Sequence, residues 1–385
     1  MKCLLCESDV ELLHIGKTPI AGYVVDGAEE SIAQPSFDLD MMFCPSCSFV
    51  RYVEILEANL LMEDLYKKQQ ATYSLTAKNI EYINDFVKSA IDKHSISKSS
   101  FVMEIGCNDG SMLTAFNMTL GCSVLGIEPS KCFGDIWNKH KLEVINEFFS
   151  ESTLKKIGDK KADLIIIRHV LEHIFNLNGF MSNLSKAVHD QTILMVEVPY
   201  LKTVIEKKRI DNISYPHINC FSVRSFAKLI EKFGLKIQEY RLVDTDGGSI
   251  VFTVTKSSLK NEVPLDDITV EGILLLQNYI QERKMRIAEL ISKYNVDEIV
   301  GYGAGAKGQH LFNLLGLERY IQTVVDDMPS YQGRFIPGTR VEINKPAHAL
   351  SSAKIKAVVN LATTHGEAVR GRVPQHLEFI DVLYS

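Results

Sequence analysis

The sequence predicts an α/β protein built from three parts. Two C-x-x-C pairs lie near the N-terminus, in residues 1–55. From residue 101, apolar strand-like segments alternate with segments of helical spacing, a pattern typical of a parallel, doubly wound sheet. A second strand, glycine loop and helix begin at "DEIVGYGAGAKG". We therefore predict a small cysteine module, a central α/β domain and a C-terminal α/β domain.

The amino-acid composition and net charge exclude some classes of protein. The chain has 385 residues, of which 46% are hydrophobic and 23% charged, with a formal net charge of −6. These values exclude wholesale disorder and give no reason to expect nucleic acid as a partner. No apolar run approaches the roughly 20 residues that span a bilayer, so we expect no membrane partner. The start lacks the apolar core of a secretory signal, and the cysteine pattern does not suggest disulfides, so we expect a cytoplasmic protein. The oligomeric state is left open.

Changes in the pattern of apolar residues along the sequence predict the domain boundaries. Residues 1–55 are predicted to be a short, strand-poor zinc-binding module, and residues 56–98 a helical connector. Residues 99–258 hold the alternating central domain, which "GGSIVFTVTK" closes as a β segment. Residues 259–385 form the C-terminal domain, which a long helix over roughly 266–294 introduces.

The first chemical constellation is a set of four thiols, Cys3, Cys6, Cys44 and Cys47. Four thiolates satisfy a tetrahedral Zn²⁺ ion and leave no open position, so the metal would be structural. A redox pair or four unrelated thiols is the alternative interpretation.

The second constellation is the glycine turn of "FVMEIGCNDGSML". A strand carrying Glu104 runs into Gly106, Asn108 and Gly110, and a helix follows. Glu128 ends the next strand, about 20 residues on, where an acid can accept ribose hydroxyls. This E-x-G-x-x-x-G pattern favours S-adenosylmethionine (SAM). A dinucleotide site or a plain strand–turn–helix are the alternatives.

The third constellation, "ADLIIIRHVLEHI", places His169 at the end of a strand. His169, Glu172 and His173 are spaced so that they would share one helical face. They could hold a metal, or form a pair of histidines with satisfied hydrogen bonds. Alternatively, His173 projects into a cleft between cofactor and substrate.

The fourth constellation is a full G-x-G-x-x-G in "GYGAGAKGQHL", formed by Gly303, Gly305 and Gly308. Asp326 follows on the next strand. The motif alone suggests a nicotinamide cofactor. The alternative is a Rossmann-like unit whose nucleotide site is vestigial or takes another ligand.

Together these pieces resemble the SAM-dependent C-methyltransferases of deoxysugar biosynthesis, which act on nucleotide-activated 4-keto sugars. The resemblance covers nearly the whole chain and lies in "CLLC…CPSC", "EIGCNDG", "HVLEH", "DNISYPHINCFS", "DTDGGSIVFTV", "GYGAGAKG" and "VVDDMPSYQGRFIPGTRVEI". It implies an N-terminal zinc module, a central class I SAM-methyltransferase domain of Rossmann-like fold and a C-terminal Rossmann-like domain. The C-terminal glycine loop is then expected to help hold the sugar nucleotide instead of NAD.

The resemblance also implies site residues. The expected SAM contacts are Glu104, Gly106, Asn108, Asp109, Gly110, Glu128, Pro129, Phe149 and His169, with Phe148 and Phe149 near the adenine. The expected substrate contacts are Tyr73, Gly305 and Lys307.

The sequence departs from the family in the stretch "ISYPHINCFS", where the family reads "IYHEHLSYFS". Ser214, Tyr215, Pro216 and Cys220 replace the family's tyrosine, histidine, glutamate and second tyrosine, and only His217 is retained. In the family this cluster is held to deprotonate the carbon beside the ketone. One acid/base group is therefore missing here.

These residues predict methyl transfer to the carbon alpha to the ketone of a nucleotide-activated 4-keto-6-deoxysugar. His217 is the candidate base, acting with an ordinary histidine pKa near 6.5. Tyr215 or His173 is the candidate donor to the enolate oxygen. Methylation of oxygen or nitrogen on a related metabolite is one alternative, and a non-catalytic binding protein is another.

Overall fold

The computed structural model describes residues 1–67, 77–262, 266 and 268–385. The elements of the first part, in chain order, are β1 Glu11–Pro19, α1 Ala28–Ile32, β2 Ser36–Cys44, β3 Phe49–Tyr52, α2 Leu56–Lys67 and α3 Ala77–His94. The expectation of a strand-poor N-terminus was wrong. In "SFDLDMMFC" alternate side chains are buried, which is the period of a strand with one covered face.

The central part alternates strands and helices as predicted. Its elements are β4 Phe101–Ile105, α4 Ser111–Leu120, β5 Ser123–Ile127, α5 Gly134–His140, β6 Val144–Ile145, α6 Glu151–Ile157, β7 Leu164–Arg168, α7 Leu177–Ala187, β8 Ile193–Pro199, α8 Leu201–Glu206, β9 Asn219–Cys220, α9 Val223–Glu231, β10 Leu235–Val243 and β11 Ser249–Lys256. The seven-stranded sheet has the order β10-β11-β8-β7-β4-β5-β6.

This sheet is mixed, which corrects the prediction of a parallel one. Five strands are parallel, and β11 runs antiparallel to both β8 and β10. The carboxyl ends of β4, β5 and β7 lie at one edge of the sheet, where ligands bind in such α/β folds. The central domain is a class I SAM-methyltransferase fold, as predicted.

The C-terminal part carries a five-stranded parallel sheet of order β14-β13-β12-β15-β16. The helix expected over 266–294 is observed as α10. The elements are α10 Val270–Ile291, β12 Ile299–Tyr302, α11 Ala306–Leu314, β13 Thr323–Val325, β14 Glu342–Asn344, α12 Pro346–Leu350, β15 Ala357–Asn360, α13 Gly366–Arg370 and β16 Glu378–Asp381.

The three parts share sheets and cores. A four-stranded antiparallel sheet, β1-β2-β3-β9, takes its last strand from the central part of the chain. One apolar core joins Leu39 of β2 to Ile280 of α10 and Ile343 of β14. A second core packs Cys3 and Phe221 together. The boundaries at residues 55, 98 and 258 therefore stay predictions.

Across the described ranges, no helix combines the length and apolar character that crossing a lipid bilayer requires.

Candidate active site

The four N-terminal thiols converge. Cys3 Sγ lies 3.6 Å from Cys47 Sγ, and Cys6 Sγ lies 3.4 Å from Cys44 Sγ and 3.6 Å from Cys47 Sγ. Four sulfurs bonded at 2.3 Å to a tetrahedral ion would lie about 3.8 Å apart. The N–H of Leu5 also donates to Cys3 Sγ. The cluster therefore has the donor set and spacing of a structural metal site.

The predicted glycine turn closes tightly over the carboxyl end of β4. Gly106 and Gly110 adopt φ angles of 75° and 78°. A Cβ at Gly106 would lie 2.4 Å from Val170 Cγ2, and one at Gly110 would lie 2.3 Å from Leu142 Cδ1. Only glycine fits both positions, so the main chain can approach a ligand closely here.

Polar groups around this turn are held in place. Glu128 accepts the N–H of Asn108 at 3.0 Å and that of Ser130 at 2.9 Å. Asp109 accepts the N–H and the hydroxyl of Ser111. Pro129 lies beside Glu128, half-buried. This frame suits a cofactor that bears ribose hydroxyls.

Glu104 lies beneath the turn and is almost completely buried. Its Oε2 has no hydrogen-bond partner in the described part of the chain. Burial raises the pKa of Glu104 to about 8, and nearby Arg168 offsets only part of that rise. An unpaired polar atom beside a glycine cradle fits a bound ligand such as SAM.

The predicted adenine contacts lie on the loop before α6. Phe149 is half-buried, with its ring 5.3 Å from that of Phe180, and Phe148 is more exposed. Phe148 and Phe149 thus follow β6, the strand that lies next to β5 in the sheet.

His169 follows β7 with a positive φ of 51°. Its Nδ1 lies 3.2 Å from Glu172 Oε1, and its Nε2 lies 3.3 Å from Glu197 Oε1. Burial alone would lower the pKa of His169, but Glu197, Glu172 and Asp246 raise it to about 10. His169 is thus held between carboxylates, and its contact with SAM stays a prediction.

Two further histidines, His173 and His217, contact each other near the His169 hydrogen-bond network. The rings of His173 and His217 lie 5.0 Å apart, edge to face. Nδ1 of His173 lies 2.5 Å from the carbonyl oxygen of Pro216. Nδ1 of His217 finds no partner among the residues that the structure describes. Burial and the neighbouring His173 lower the pKa of His217 to about 3, so the ordinary pKa predicted for it was wrong.

Tyr215 lies apart from this pair. Its hydroxyl is 3.1 Å from Asn59 Oδ1 and accepts the N–H of Ile55 at 3.0 Å. The ring is 2% exposed and packs on Phe37 and Tyr52. Its predicted role as donor to the enolate oxygen therefore finds no geometric support.

The predicted substrate residues of the C-terminal part face the central sheet. Lys307 donates to the carbonyl oxygen of Asp246 at 2.7 Å and to its Oδ1 at 2.8 Å. Gly305 is the N-cap residue of α11, and within the described structure nothing lies within 4 Å of a Cβ added there. Asp326 accepts the N–H of Ala304 at 2.6 Å. Tyr73 lies outside the described residues.

Two residues near the site, Glu197 and Tyr66, were not identified from the sequence. Glu197 accepts from Arg168 Nε and Tyr82 Oη, and both partners are distant in sequence. A carboxylate within the apolar run "ILMVEVP" was the available signal. Tyr66 was also missed; its ring lies 5.4 Å from that of His173.

Comparisons with known proteins agree with this geometry. Residues 76–240 match the family model "Methyltransferase domain", and residues 244–377 match "C-methyltransferase C-terminal domain". The C-methyltransferase NovU of Streptomyces niveus is 25% identical over 367 residues, covering 90% of this chain and 86% of its own.

Two further likenesses are limited. A ubiquinone biosynthesis O-methyltransferase of Bartonella bacilliformis is 22% identical over 34% of this chain and 54% of its own. The structure of magnesium protoporphyrin IX methyltransferase from Synechocystis covers 52% of this chain and 99% of its own, with 14% identity and a TM-score of 0.40.

The two family models adjoin at the end of β10, and the NovU match runs through both. The glycine cradle, the acid at the end of β5 and the mixed sheet agree with them. From this agreement we conclude that the chain is a SAM-dependent methyltransferase, similar over most of its length to a C-methyltransferase.

Proposed function

We propose that this enzyme methylates the carbon next to a ketone in a small molecule, a nucleotide-activated 4-keto-6-deoxysugar. The observation that carries the proposal is the pair His173 and His217, because His173 lies on the turn that packs against the glycine turn. Methylation of carbon requires removal of a proton and stabilisation of the resulting oxyanion. Two adjacent histidines with different environments can divide these tasks.

His173 is suited to accept the proton. A carbonyl oxygen only accepts hydrogen bonds, so the contact with Pro216 places the proton of neutral His173 on Nδ1. The lone pair of Nε2 is then available to a substrate. Pro216 replaces an acid/base side chain of the family, and its main-chain oxygen orients the base.

His217 is suited to donate. Burial and His173 keep its pKa near 3, so the ring is neutral at physiological pH. A neutral imidazole is a weak base at that pKa, but its N–H donates a hydrogen bond to a developing enolate oxygen. Tyr66 adds a buried hydroxyl that has no partner within the described ranges. The structure thus favours His173 over His217 as base.

The cradle orients the reaction. SAM, when bound, supplies the methyl group and leaves as S-adenosylhomocysteine. Gly106 and Gly110 admit it closely, and Glu128 is placed to accept its ribose hydroxyls. Val170, which packs against Gly106, belongs to the same turn as His173, so cofactor and base are held by adjoining main chain. The substrate proton first passes to His173, and the carbon of the resulting enolate then takes the methyl group.

The nucleotide part of the substrate is assigned to the C-terminal domain. The positively charged Lys307 pairs with Asp246, close to the histidines. Gly305 is the N-cap of α11, the helix that carries Lys307. A phosphate could replace Asp246 as the partner of Lys307. The similarity to the C-methyltransferase NovU and the match to a C-methyltransferase C-terminal domain support carbon as the acceptor.

We further propose that the four-thiolate cluster binds Zn²⁺ as a structural ion. Its four thiol donors and their sulfur spacing support this role. No open coordination position is left for chemistry.

Exchange of the substrate's alpha proton in deuterated water tests the assignment of the base. His173→Gln should slow exchange by about 10²–10⁴-fold with SAM affinity retained, because the proton acceptor is lost. His217→Gln, the matched variant, should slow exchange less. A larger loss in His217→Gln than in His173→Gln would return the role of base to His217.

A further inference from the structure

A second cluster of potential metal ligands lies apart from the thiols. Glu172, His173 and His217 each offer a ligand atom, and these atoms lie within 4.8 Å of one another. Two imidazoles and one carboxylate suit divalent first-row transition metals such as Zn²⁺, Ni²⁺ or Co²⁺. We propose that these three side chains bind such a cation.

Unsatisfied atoms point to a ligand here. Glu172 is 1% exposed, and its Oε2 has no hydrogen-bond partner in the ranges described. Nδ1 of His217 is likewise unpaired within those ranges. Buried polar atoms are rarely left without partners, and a cation would satisfy both at once.

The remaining atoms of the three ligands are already oriented. His173 donates from Nδ1 to the carbonyl oxygen of Pro216, which leaves the lone pair of Nε2 for a metal. Glu172 Oε1 contacts His169, which fixes the carboxylate with Oε2 free. Metal-binding histidines and carboxylates are commonly held by such outer contacts.

The geometry is that of an open site. Bonds of about 2.0–2.2 Å would draw the three ligand atoms together by roughly an ångström, a movement within the range of side-chain rotation. Three protein ligands leave further positions for water or for an oxygen of the substrate. The metal would use the same lone pair of His173 that the proposed reaction needs. The cation would therefore inhibit methyl transfer, a consequence that rests on the proposed function, whereas binding itself does not.

Titration with CoCl₂ tests the site. The full chain, with its thiolate site loaded, should bind one added equivalent of Co²⁺ and develop visible absorption without thiolate-to-cobalt charge transfer. Glu172→Gln and His217→Ala should each weaken this binding by at least about tenfold. His376→Ala, which removes an exposed histidine on the C-terminal domain, should bind as the wild type does.

The readout does not depend on activity. Circular dichroism identifies which variants are folded, and one folded variant of the two ligand residues decides the question. Wild-type protein that binds no added Co²⁺ would overturn the proposal. Binding that persists unchanged in a folded Glu172→Gln or His217→Ala protein would overturn it as well. If a variant lost methyl transfer in the absence of Co²⁺, that result would bear on the proposed function and not on the metal site.

Discussion

The carbonyl oxygen of Pro216 contacts Nδ1 of His173, and this one contact assigns the tautomer of the ring. A proline side chain neither titrates nor donates, so the sequence suggested a lost function at this position. In the structure a main-chain atom at this position contacts His173, the proposed base, and orients its ring. Chemistry that depends on backbone atoms is not visible in residue identity, because every residue carries the same carbonyl group.

Glu104 provides a test at the scale of one residue. Its pKa of about 8 in the folded protein lies above the ordinary value of 4.5. Unfolding therefore releases a proton between these pH values, and Glu104 makes stability fall as pH rises from about 4.5 towards 8. Glutamine does not ionise. The difference in unfolding free energy between Glu104→Gln and the wild type should therefore shift in favour of the variant from pH 5 to pH 8.5. The shift should be several kcal/mol at most.

Denaturant unfolding at the two pH values, without SAM, measures this difference. Glu143→Gln, the same change at an exposed carboxylate, is the control for replacing glutamate by glutamine. If Glu104→Gln differed from the wild type equally at pH 5 and pH 8.5, a raised pKa for Glu104 would be contradicted.

Some residues could be assigned from sequence and others could not. The cysteine spacing identified four thiols that do converge, and the glycine spacing identified a turn with positive φ at Gly106 and Gly110. The sequence did not reveal that Tyr215 points into the N-terminal sheet. Nor did it reveal that burial depresses the pKa of His217. Side-chain direction and desolvation arise from tertiary packing, which short motifs do not encode.

At the scale of elements, two turns pack on each other at the edge of the sheet. The turn after β4 carries the glycines, and the turn after β7 carries Val170 and His173. Their contact joins the glycine turn, which is the proposed SAM cradle, to the turn that carries His173. A substitution that displaces one turn should therefore also displace the other.

Gly106→Ala tests this coupling. An added Cβ would lie 2.4 Å from Val170 Cγ2 and must displace the turn that holds His173. Gly121→Ala is a matched control, since Gly121 has a similar φ of 66° and, within the described structure, nothing lies within 4 Å of an added Cβ. Both variants should lose about 1–2 kcal/mol of stability from left-handed backbone strain.

Only Gly106→Ala should weaken SAM binding, by about tenfold or more, because only there does the cradle change shape. Isothermal titration calorimetry with SAM measures the affinity. Equal SAM affinities in the two variants would show that the contact with Val170 does not shape the cradle.

At the scale of the whole molecule, one sheet links the thiolate cluster to the segment that carries His217. Cys44 pairs with Phe49 between β2 and β3, and β3 pairs with β9 at Cys220. His217 lies two residues before β9. The proposed zinc ion would thereby stabilise the segment that carries the histidine, a link that the sequence did not suggest because β9 is remote in the chain.

Cys44→Ser should lower the zinc content by about one equivalent per chain. It should also lower the thermal midpoint on the order of 5 °C or more, since metal binding contributes to folding. Elemental analysis and thermal unfolding measure the two effects. Cys132→Ser, a change at an exposed cysteine outside the cluster, is the control and should retain the metal. Full zinc content in Cys44→Ser would contradict the proposed ligand set.

The central claim is that the methyl group is transferred to carbon. Incubation with ¹³C-methyl SAM and a nucleotide-activated 4-keto-6-deoxysugar, followed by NMR of the product, tests it most directly. We predict a labelled methyl group bonded to the carbon beside the ketone, loss of the proton on that carbon and one S-adenosylhomocysteine per product. A labelled methyl group on oxygen or nitrogen would contradict the account.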